Sequence, residues 1–210
     1  MGQGEDVAPI SGGGDKGPGG GGMRHSVTMG GFGGQGILMM GRLLAHAAML
    51  DGLSSVWIPS YTPEMRHGVA DCFVVVADSP IGELSLAEVD TVIAMSEGAL
   101  RRHLGSVRRG GLVILDRSIV KGRVSGGEAE VVEIRASERA DRLFGTPLVA
   151  NMIVLGFFLG LTKVVDFEAA LRSVEEVLPP HRRSLAEVNR RALLEGRRMA
   201  EERRAFKGVD

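Results

Sequence analysis

A chain of 210 residues with 44% hydrophobic and 24% charged residues suits one domain with a core of its own, leaving room for a helical appendage. A net charge of -1 excludes a global electrostatic pull toward nucleic acid or a membrane surface, so a local site must carry the function. One cysteine, Cys72, excludes an internal disulfide framework and any iron–sulfur cluster or Cys-based zinc site held by this chain alone, and points to a cytoplasmic setting.

Residues 1–22 are dominated by Gly and lack the apolar side chains that offset ordering entropy, so a disordered tail is predicted, with the functional start near Met23. That terminus is not apolar and does not read as a signal peptide. The remainder, 23–210, is expected to form one α/β unit whose part from 147 onward is mainly helical.

Ser26 to Met29 reads as a buried strand, and a helix is predicted from Gln35 to Leu50. Its stripe of Ile37, Gly41, Leu44, Ala45 and Ala48 is small enough to sit close on a sheet. Met39, Leu43 and Leu50 form a second apolar line, which calls for a second contact, with a partner chain or with another part of this one.

Asp51-Gly52 makes a turn and Ser55 to Ile58 a second strand. A Pro-stiffened loop from Pro59 to Gly68 (PSYTPEMRHG) then carries Tyr61, Glu64, Arg66 and His67, the residue types of a site at a sheet edge, although a plain connector is also open. Ala70 to Ala77, Thr91 to Met95 and Leu112 to Leu115 are apolar runs without alternation, as in a parallel sheet buried on both faces. Ser96 is the predicted N-cap of a helix over Glu97 to Leu104. Val120 to Val124 and Val131 to Ile134 are read as a further pair of strands around Gly126-Gly127.

Three helices follow. Asn151 to Leu161 is apolar nearly all round, too short for the roughly 18 residues of a membrane span, and has Gly156 and Gly160 four apart for close packing on a neighbour. Asp166 to Leu178 is amphipathic and stops at Pro179-Pro180. Ser184 to about Arg204 carries Arg183, Arg190, Arg197 and Arg204 at a seven-residue spacing, interspersed with Glu187, Glu195, Glu201 and Glu202 as on a solvated face.

The chemistry concentrates in MGGFGGQGILMMG, Met29 to Gly41. Gly31, Gly33 and Gly36 match G-x-G-x-x-G between a strand and a helix, a context that aims helix N–H groups at phosphate. A Gly-rich turn with structural duties alone is the bland alternative. A domain for NAD also needs an acidic residue about 20 positions on, at the end of the second strand. Asp51 has that offset but precedes the strand, which argues against NAD and for another phosphate-bearing ligand. His46, His103 and His181 have no metal-ligand partner at useful spacing and read as surface histidines, and Cys72 reads as an inert core thiol. No metal site and no catalytic residue is assigned. For Glu64 and Arg66, a pair that fixes the loop and a catalytic role are equally open.

The segments GFGGQGILMMGRLLAHAAM, WIPSYTPEMRHGVADCFVVVADSPIG and NMIVLGFFLGLT closely resemble the gamma subunit, or fused gamma domain, of the 2-oxoacid:ferredoxin oxidoreductases. The resemblance runs from about Arg24 to Arg198. It implies a Rossmann-like, mostly parallel α/β sheet flanked by helices, in an enzyme that decarboxylates a 2-oxoacid, acylates coenzyme A and reduces ferredoxin. It further implies thiamine diphosphate in alpha and beta subunits, iron–sulfur clusters in partner chains such as a ferredoxin-like delta subunit, and a chain inactive alone. Carried over by position, Gly31, Phe32, Gly33, Gly34, Gln35 and Gly36 form the ligand loop, with Ser60, Tyr61, Glu64 and Arg66 near the ligand or a subunit boundary. The SYTPEMR block is closer to the 2-oxoglutarate and branched-chain types than to the pyruvate type. Thr62 and His67 stand where the family pattern has glycine, and Thr62 fits a positive φ poorly. A dinucleotide-dependent dehydrogenase and an interaction module that binds no nucleotide are the competing readings.

Overall fold

The computed structural model describes residues 22–63, 68–82, 84–85 and 87–207. The predicted disordered stretch 1–22, apart from Gly22, lies outside the described residues, as do Glu64, Arg66 and His67. Six strands form one sheet: β1 (Arg24–Phe32), β2 (Ser54–Thr62), β3 (Val69–Ala77), β4 (Val89–Ala94), β5 (Val107–Asp116) and β6 (Glu130–Ile134). The helices are α1 (Ile37–Leu50), α2 (Glu97–His103), α3 (Ala136–Phe144), α4 (Ala150–Thr162), α5 (Phe167–Val177) and α6 (Ala186–Lys207).

The strand order is β2-β3-β1-β4-β5-β6. β1, β4, β5 and β6 pair in parallel, while β3 runs antiparallel to both β1 and β2. The expected mostly parallel sheet is therefore present, but β3 departs from it. The link between β2 and β3 is too short for a crossover, so the two must form a hairpin. The uninterrupted apolar run of β3 reflects burial on both faces, not strand direction. Part of the predicted Pro59–Gly68 loop is strand as well, since Pro59, Ser60, Tyr61 and Thr62 pair with Cys72, Asp71, Ala70 and Val69. Thr62 sits in that strand without a positive φ, a place that suits a β-branched side chain.

The predicted strand Val120–Val124 does not form. Arg117 donates from Nη1 to the carbonyls of Val120 (2.9 Å) and Gly122 (2.8 Å), so a guanidinium takes over what a neighbouring strand would have supplied. Val131 to Ile134 is strand, but it pairs with β5. Helix α3 is a further element, whose buried residues, Ala136 and Ala140, are small and form no large apolar stripe. Gly145, left-handed at φ 69°, ends it.

Two cores flank the sheet. Phe73, Val75, Val92 and Val113 meet α2 on one face, with Ser96 accepting from the Ala99 amide at 3.1 Å as the predicted cap. The larger core joins the other face to α1, α4, α5 and α6. Gly41 places α1 directly against Cys72 and Trp57 of the sheet. The second apolar line of α1 is covered by this chain itself, because α5 packs along it, Leu43 is fully buried, and Met39 and Leu50 are partly buried against the core. Among the described residues no helix is long and apolar enough to cross a membrane.

Helix α4 crosses α6 at backbone contact. A Cβ on Gly156 would overlap the Leu193 carbonyl, one on Gly196 the Ile153 carbonyl, and one on Gly160 would lie 2.7 Å from Ala200 Cβ. The arginine-rich side of α6 is tied internally, with Arg197 on Glu201 (2.8 Å), Arg198 on Glu195 (2.8 Å), Arg203 on Glu130 (3.2 Å) and Arg190 on Glu175 (3.4 Å). Because backbone opposes backbone at the crossing, Gly156→Ala is expected to cost about 1–3 kcal/mol, the usual range for overpacking. Urea unfolding measures it, and an unchanged midpoint would show that the helices can part without loss.

Candidate ligand-binding site

The glycine loop leaves β1 at Phe32 and enters α1 at Ile37. Gly34 (φ 96°) and Gly36 (φ 72°) occupy the left-handed region that favours glycine. Gly31 has a different duty: it lies in β1, where a side chain would displace Gln35 Oε1 and crowd Ile37. Gln35 uses the space so left. Its Oε1 accepts from the Phe32 amide at 2.8 Å, and its Nε2 donates to the Met95 carbonyl at 2.8 Å, joining the ends of β1 and β4.

Two further contacts hold the loop. The Gly33 amide donates to the Gly68 carbonyl at 2.6 Å, fixing it to the turn end of the β2–β3 hairpin, and Tyr61 lies over Gly33, where an added Cβ would be 3.3 Å from its hydroxyl. Asn151, buried at the start of α4, donates from Nδ2 to the Gly36 carbonyl at 3.1 Å.

Beside the loop, beyond the C-terminal ends of β1, β4 and β5, is a slot of about 430 Å³. Phe32, Gly33, Gly34 and Gln35 form one side of it, Met95, Ser118 and Ile119 another, and Ser137, Pro147, Leu148 and Ala150 the remainder. Ligands of open α/β sheets bind at this edge, and ligand pockets span about 300–1,000 Å³. Asp116, 1% exposed at the end of β5, organises the far wall. Its Oδ1 accepts from the Ser118 amide (3.0 Å), and its Oδ2 from the Ser137 amide (3.1 Å) and hydroxyl (2.5 Å). Ser118 Oγ in turn accepts from the Glu138 amide at 3.0 Å, in the first turn of α3.

Of the residues expected near a ligand, Phe32, Gly33, Gly34 and Gln35 line the slot, and Gly31 and Gly36 are packed behind it. Tyr61 is 55% exposed over the loop. Ser60 pairs with Asp71 and therefore faces away from Tyr61, toward the α2 side of the sheet. Met95, Ser118, Ile119, Ser137, Leu148 and Asn151 were not foreseen. The run Asp116-Arg117-Ser118 at the end of an apolar strand is the one sequence signal that could have pointed to part of this set.

On the α2 side, Asp71 accepts from Arg102 Nε (3.0 Å) and Nη2 (2.9 Å), and His103 Nε2 lies 3.2 Å from it. Burial alone would push the Asp71 carboxyl up, but His103 and Arg102 outweigh it and hold the carboxyl below its ordinary value. His103 is thus a partly buried partner of Asp71, not a free surface histidine, and His46 also has partners on α5, Ser173 Oγ at 3.2 Å and Glu176 at 3.4 Å. Cys72 is 2% exposed and burial pushes its thiol up to about 12, the inert state expected of it. Among the described residues no group of three or more His, Cys, Asp and Glu converges to hold a metal. Asp51 caps the far end of α1, where it accepts from the Asp166 amide at 2.8 Å, the wrong edge of the sheet for a ribose carboxylate.

Sheet order, glycine loop and slot together define an α/β domain with a crevice at the strand ends. Residues 26–199 match the pyruvate ferredoxin/flavodoxin oxidoreductase family. The 2-oxoglutarate synthase subunit KorC of Methanothermobacter thermautotrophicus is 32% identical over 164 residues, 75% of this chain and 87% of that one. The ketoisovalerate oxidoreductase subunit VorA of the same organism is 31% identical over 176 residues, 84% of this chain but 36% of its own. Among solved structures, the keto/oxoacid ferredoxin oxidoreductase gamma subunit of Geobacter sulfurreducens matches with a TM-score of 0.73 at 28% identity, over 85% of this chain and 99% of that one. The 2-oxoglutarate:ferredoxin oxidoreductase of Magnetococcus marinus shares the fold over 85% of this chain and 31% of its own (TM-score 0.74, 17% identity). The chain belongs to the pyruvate ferredoxin/flavodoxin oxidoreductase family, and within it to the gamma-type subunits of 2-oxoacid:ferredoxin oxidoreductases. The dehydrogenase and simple interaction-module readings are not favoured.

Gln35→Ala leaves the Phe32 amide and the Met95 carbonyl without this partner, at an expected cost of about 1–3 kcal/mol. Hydrogen exchange at the Phe32 amide should quicken, and unchanged exchange would mean that the bridge does not hold the loop. Asp71, with a lowered folded-state pKa, contributes stability that is present above the ordinary carboxylate pKa of about 4 and is lost as pH falls through the folded value. Asp71→Asn should therefore be less stable than wild type at neutral pH, with a gap that narrows in acid. Urea midpoints at the two pH values test this, and a gap constant with pH would contradict it.

Proposed function

We propose that this subunit supplies the coenzyme A-binding part of its enzyme and a surface for assembly with alpha and beta chains, and with a ferredoxin-like delta chain. The overall reaction converts a 2-oxoacid and coenzyme A to acyl-CoA and carbon dioxide, with two electrons passing to ferredoxin and one proton released. Thiamine diphosphate, which supplies the decarboxylation chemistry, and the iron–sulfur clusters are assigned to partner chains. Cys72, the one cysteine, is buried in a strand and cannot ligate a cluster alone. A reducing cytoplasm is the compartment that suits such an enzyme.

The observation that carries this reading is the slot at the strand ends beside the glycine loop, in a chain of this family. Among its described lining residues there is no His, Cys, Asp, Glu, Lys or Arg, which supports a part in binding and orientation. Binding energy from the remote nucleotide of coenzyme A would position a thiol that reacts elsewhere. Phe32, Gly33, Gly34 and Gln35 form the ligand wall, Gly31 and Gly36 shape it, and Ser60 and Tyr61, at the end of β2, precede Glu64 and Arg66 in the chain. Arg66 is assigned a phosphate of the coenzyme, the planar contact for which guanidinium is suited. The acid proposed is 2-oxoglutarate, on the SYTPEMR block and on the recurrence of 2-oxoglutarate synthase subunits among the relatives.

In the assembled enzyme, Arg66→Ala should raise the coenzyme A requirement by about tenfold or more, as expected for a lost charge-assisted contact, and leave the 2-oxoacid requirement nearly unmoved. Equal effects on both would remove Arg66 from the coenzyme site.

A further inference from the structure

Strand β2 is a border of the sheet. The Gly33 amide donates to the Gly68 carbonyl, and the β1–β3 register carries this pairing in alternation through Ala70, Cys72, Val74 and Val76, whose backbone groups therefore face β1. The intervening residues of β3 face β2, so their partners Ser54, Val56, Ile58, Ser60 and Thr62 are bonded inward. The backbone groups of Ser55, Trp57, Pro59 and Tyr61 point out of the sheet, where among the described residues no further strand lies beside them. Such borders are commonly blunted by charged side chains or proline, because a free ladder invites another strand. The 9 residues of β2, SSVWIPSYT, hold no charge, and Pro59 withholds only its own amide.

Apolar groups continue the edge on both faces of the sheet. Ile58, 37% exposed, stands beside Phe73 on the α2 side. On the other side the Ala45 carbonyl accepts from the Ser55 hydroxyl at 2.9 Å, which places the flank of α1 around Ala45 over β2. The helical repeat sets Leu38, half-buried, and Met49, 64% exposed, on that same flank, with Arg42 next to them and farther from the sheet.

We infer that this edge pairs with the same edge of a second copy of the chain. Two-fold symmetry makes the paired strands antiparallel, and because paired residues share a face, each residue meets one of its own parity. With the axis at Ile58, the middle of β2, every residue of the strand gains a partner. Ile58 meets Ile58, Trp57 meets Pro59, Val56 meets Ser60, Ser55 meets Tyr61 and Ser54 meets Thr62. The indole then lies beside a proline ring, hydroxyl meets hydroxyl at the strand ends, and no like charges oppose each other. The outward amides of Ser55, Trp57 and Tyr61 reach the carbonyls of Tyr61, Pro59 and Ser55, so Pro59 forfeits only the bond its missing N–H would have made. Because α1 packs on β2 and β3, the two copies of that helix come to lie about 10 Å apart across the joint, the spacing of packed helices. A strand from a different chain meets the ladder equally well, but the neutrality and self-matching of β2 are what a second copy requires.

Sedimentation equilibrium of the full-length chain should show a monomer and a dimer in exchange. Ile58→Lys and Ile58→Glu each set two like charges opposite each other at the axis and should raise the dimer Kd by about tenfold or more. An equimolar mixture of the two variants should restore association as the mixed dimer, which a misfolded variant would not do. Ile58 faces its copy as the closer, non-hydrogen-bonded kind of pair, so Ile58→Cys should give a disulfide-linked homodimer on mild oxidation, both in the chain alone and in the assembled enzyme. The natural thiol, Cys72, is 2% exposed and does not compete. A monomer at every concentration, association that neither charge weakens, a mixture that stays dissociated, or a disulfide from Ile58→Cys to a different chain of the enzyme would each overturn the inference.

Discussion

The ligand edge of this subunit depends on one side-chain amide. Gln35 satisfies the backbone of Phe32 with its oxygen and that of Met95 with its nitrogen, and so locks together the exits of two neighbouring parallel strands. An amide is the side chain for this task because it presents an acceptor and a donor side by side without charge. The arrangement accounts for the glycine four residues earlier, since Gly31 must lack a side chain for Gln35 to fold back. The G-x-G-x-x-G spacing thus divides into different physical duties: room for Gln35 at Gly31, room under Tyr61 at Gly33, and left-handed backbone at Gly36, with Gly34 left-handed beside it.

The slot is completed by elements distant in sequence. Asp116 draws the β5 exit and the start of α3 into one wall, and Asn151 brings the start of α4 onto the loop. Rigidity and a shaped surface are what this edge of the sheet offers, and these hydrogen bonds supply both.

Much of the architecture was legible because it rests on local rules. The apolar runs marked β1, β3, β4 and β5, Ser96 marked the start of α2, and the glycines of α4 announced a close crossing. What was not legible depends on partners that no local pattern reveals. The direction of β3 follows from the length of the link before it, and the missing strand at Val120–Val124 follows from the reach of Arg117. Helix α3 is amphipathic, but its pattern lies in the charged residues of its outer side, since only alanines form the buried one. For the site, the loop was visible in its glycines, whereas Ser118, Ser137 and Leu148 are ordinary residues whose meaning comes only from meeting at one edge. The second apolar line of α1 correctly announced a contact, and the contact proves to be internal.

Helix α4 is a strut that runs between two joints. One end grips the loop through Asn151, and its middle is wedged by Gly156 against the backbone of α6. A rigid rod between a C-terminal helix and an N-terminal loop transmits displacement along its length. The placement of the loop is therefore tied, through α4, to residues beyond 190 that it never touches.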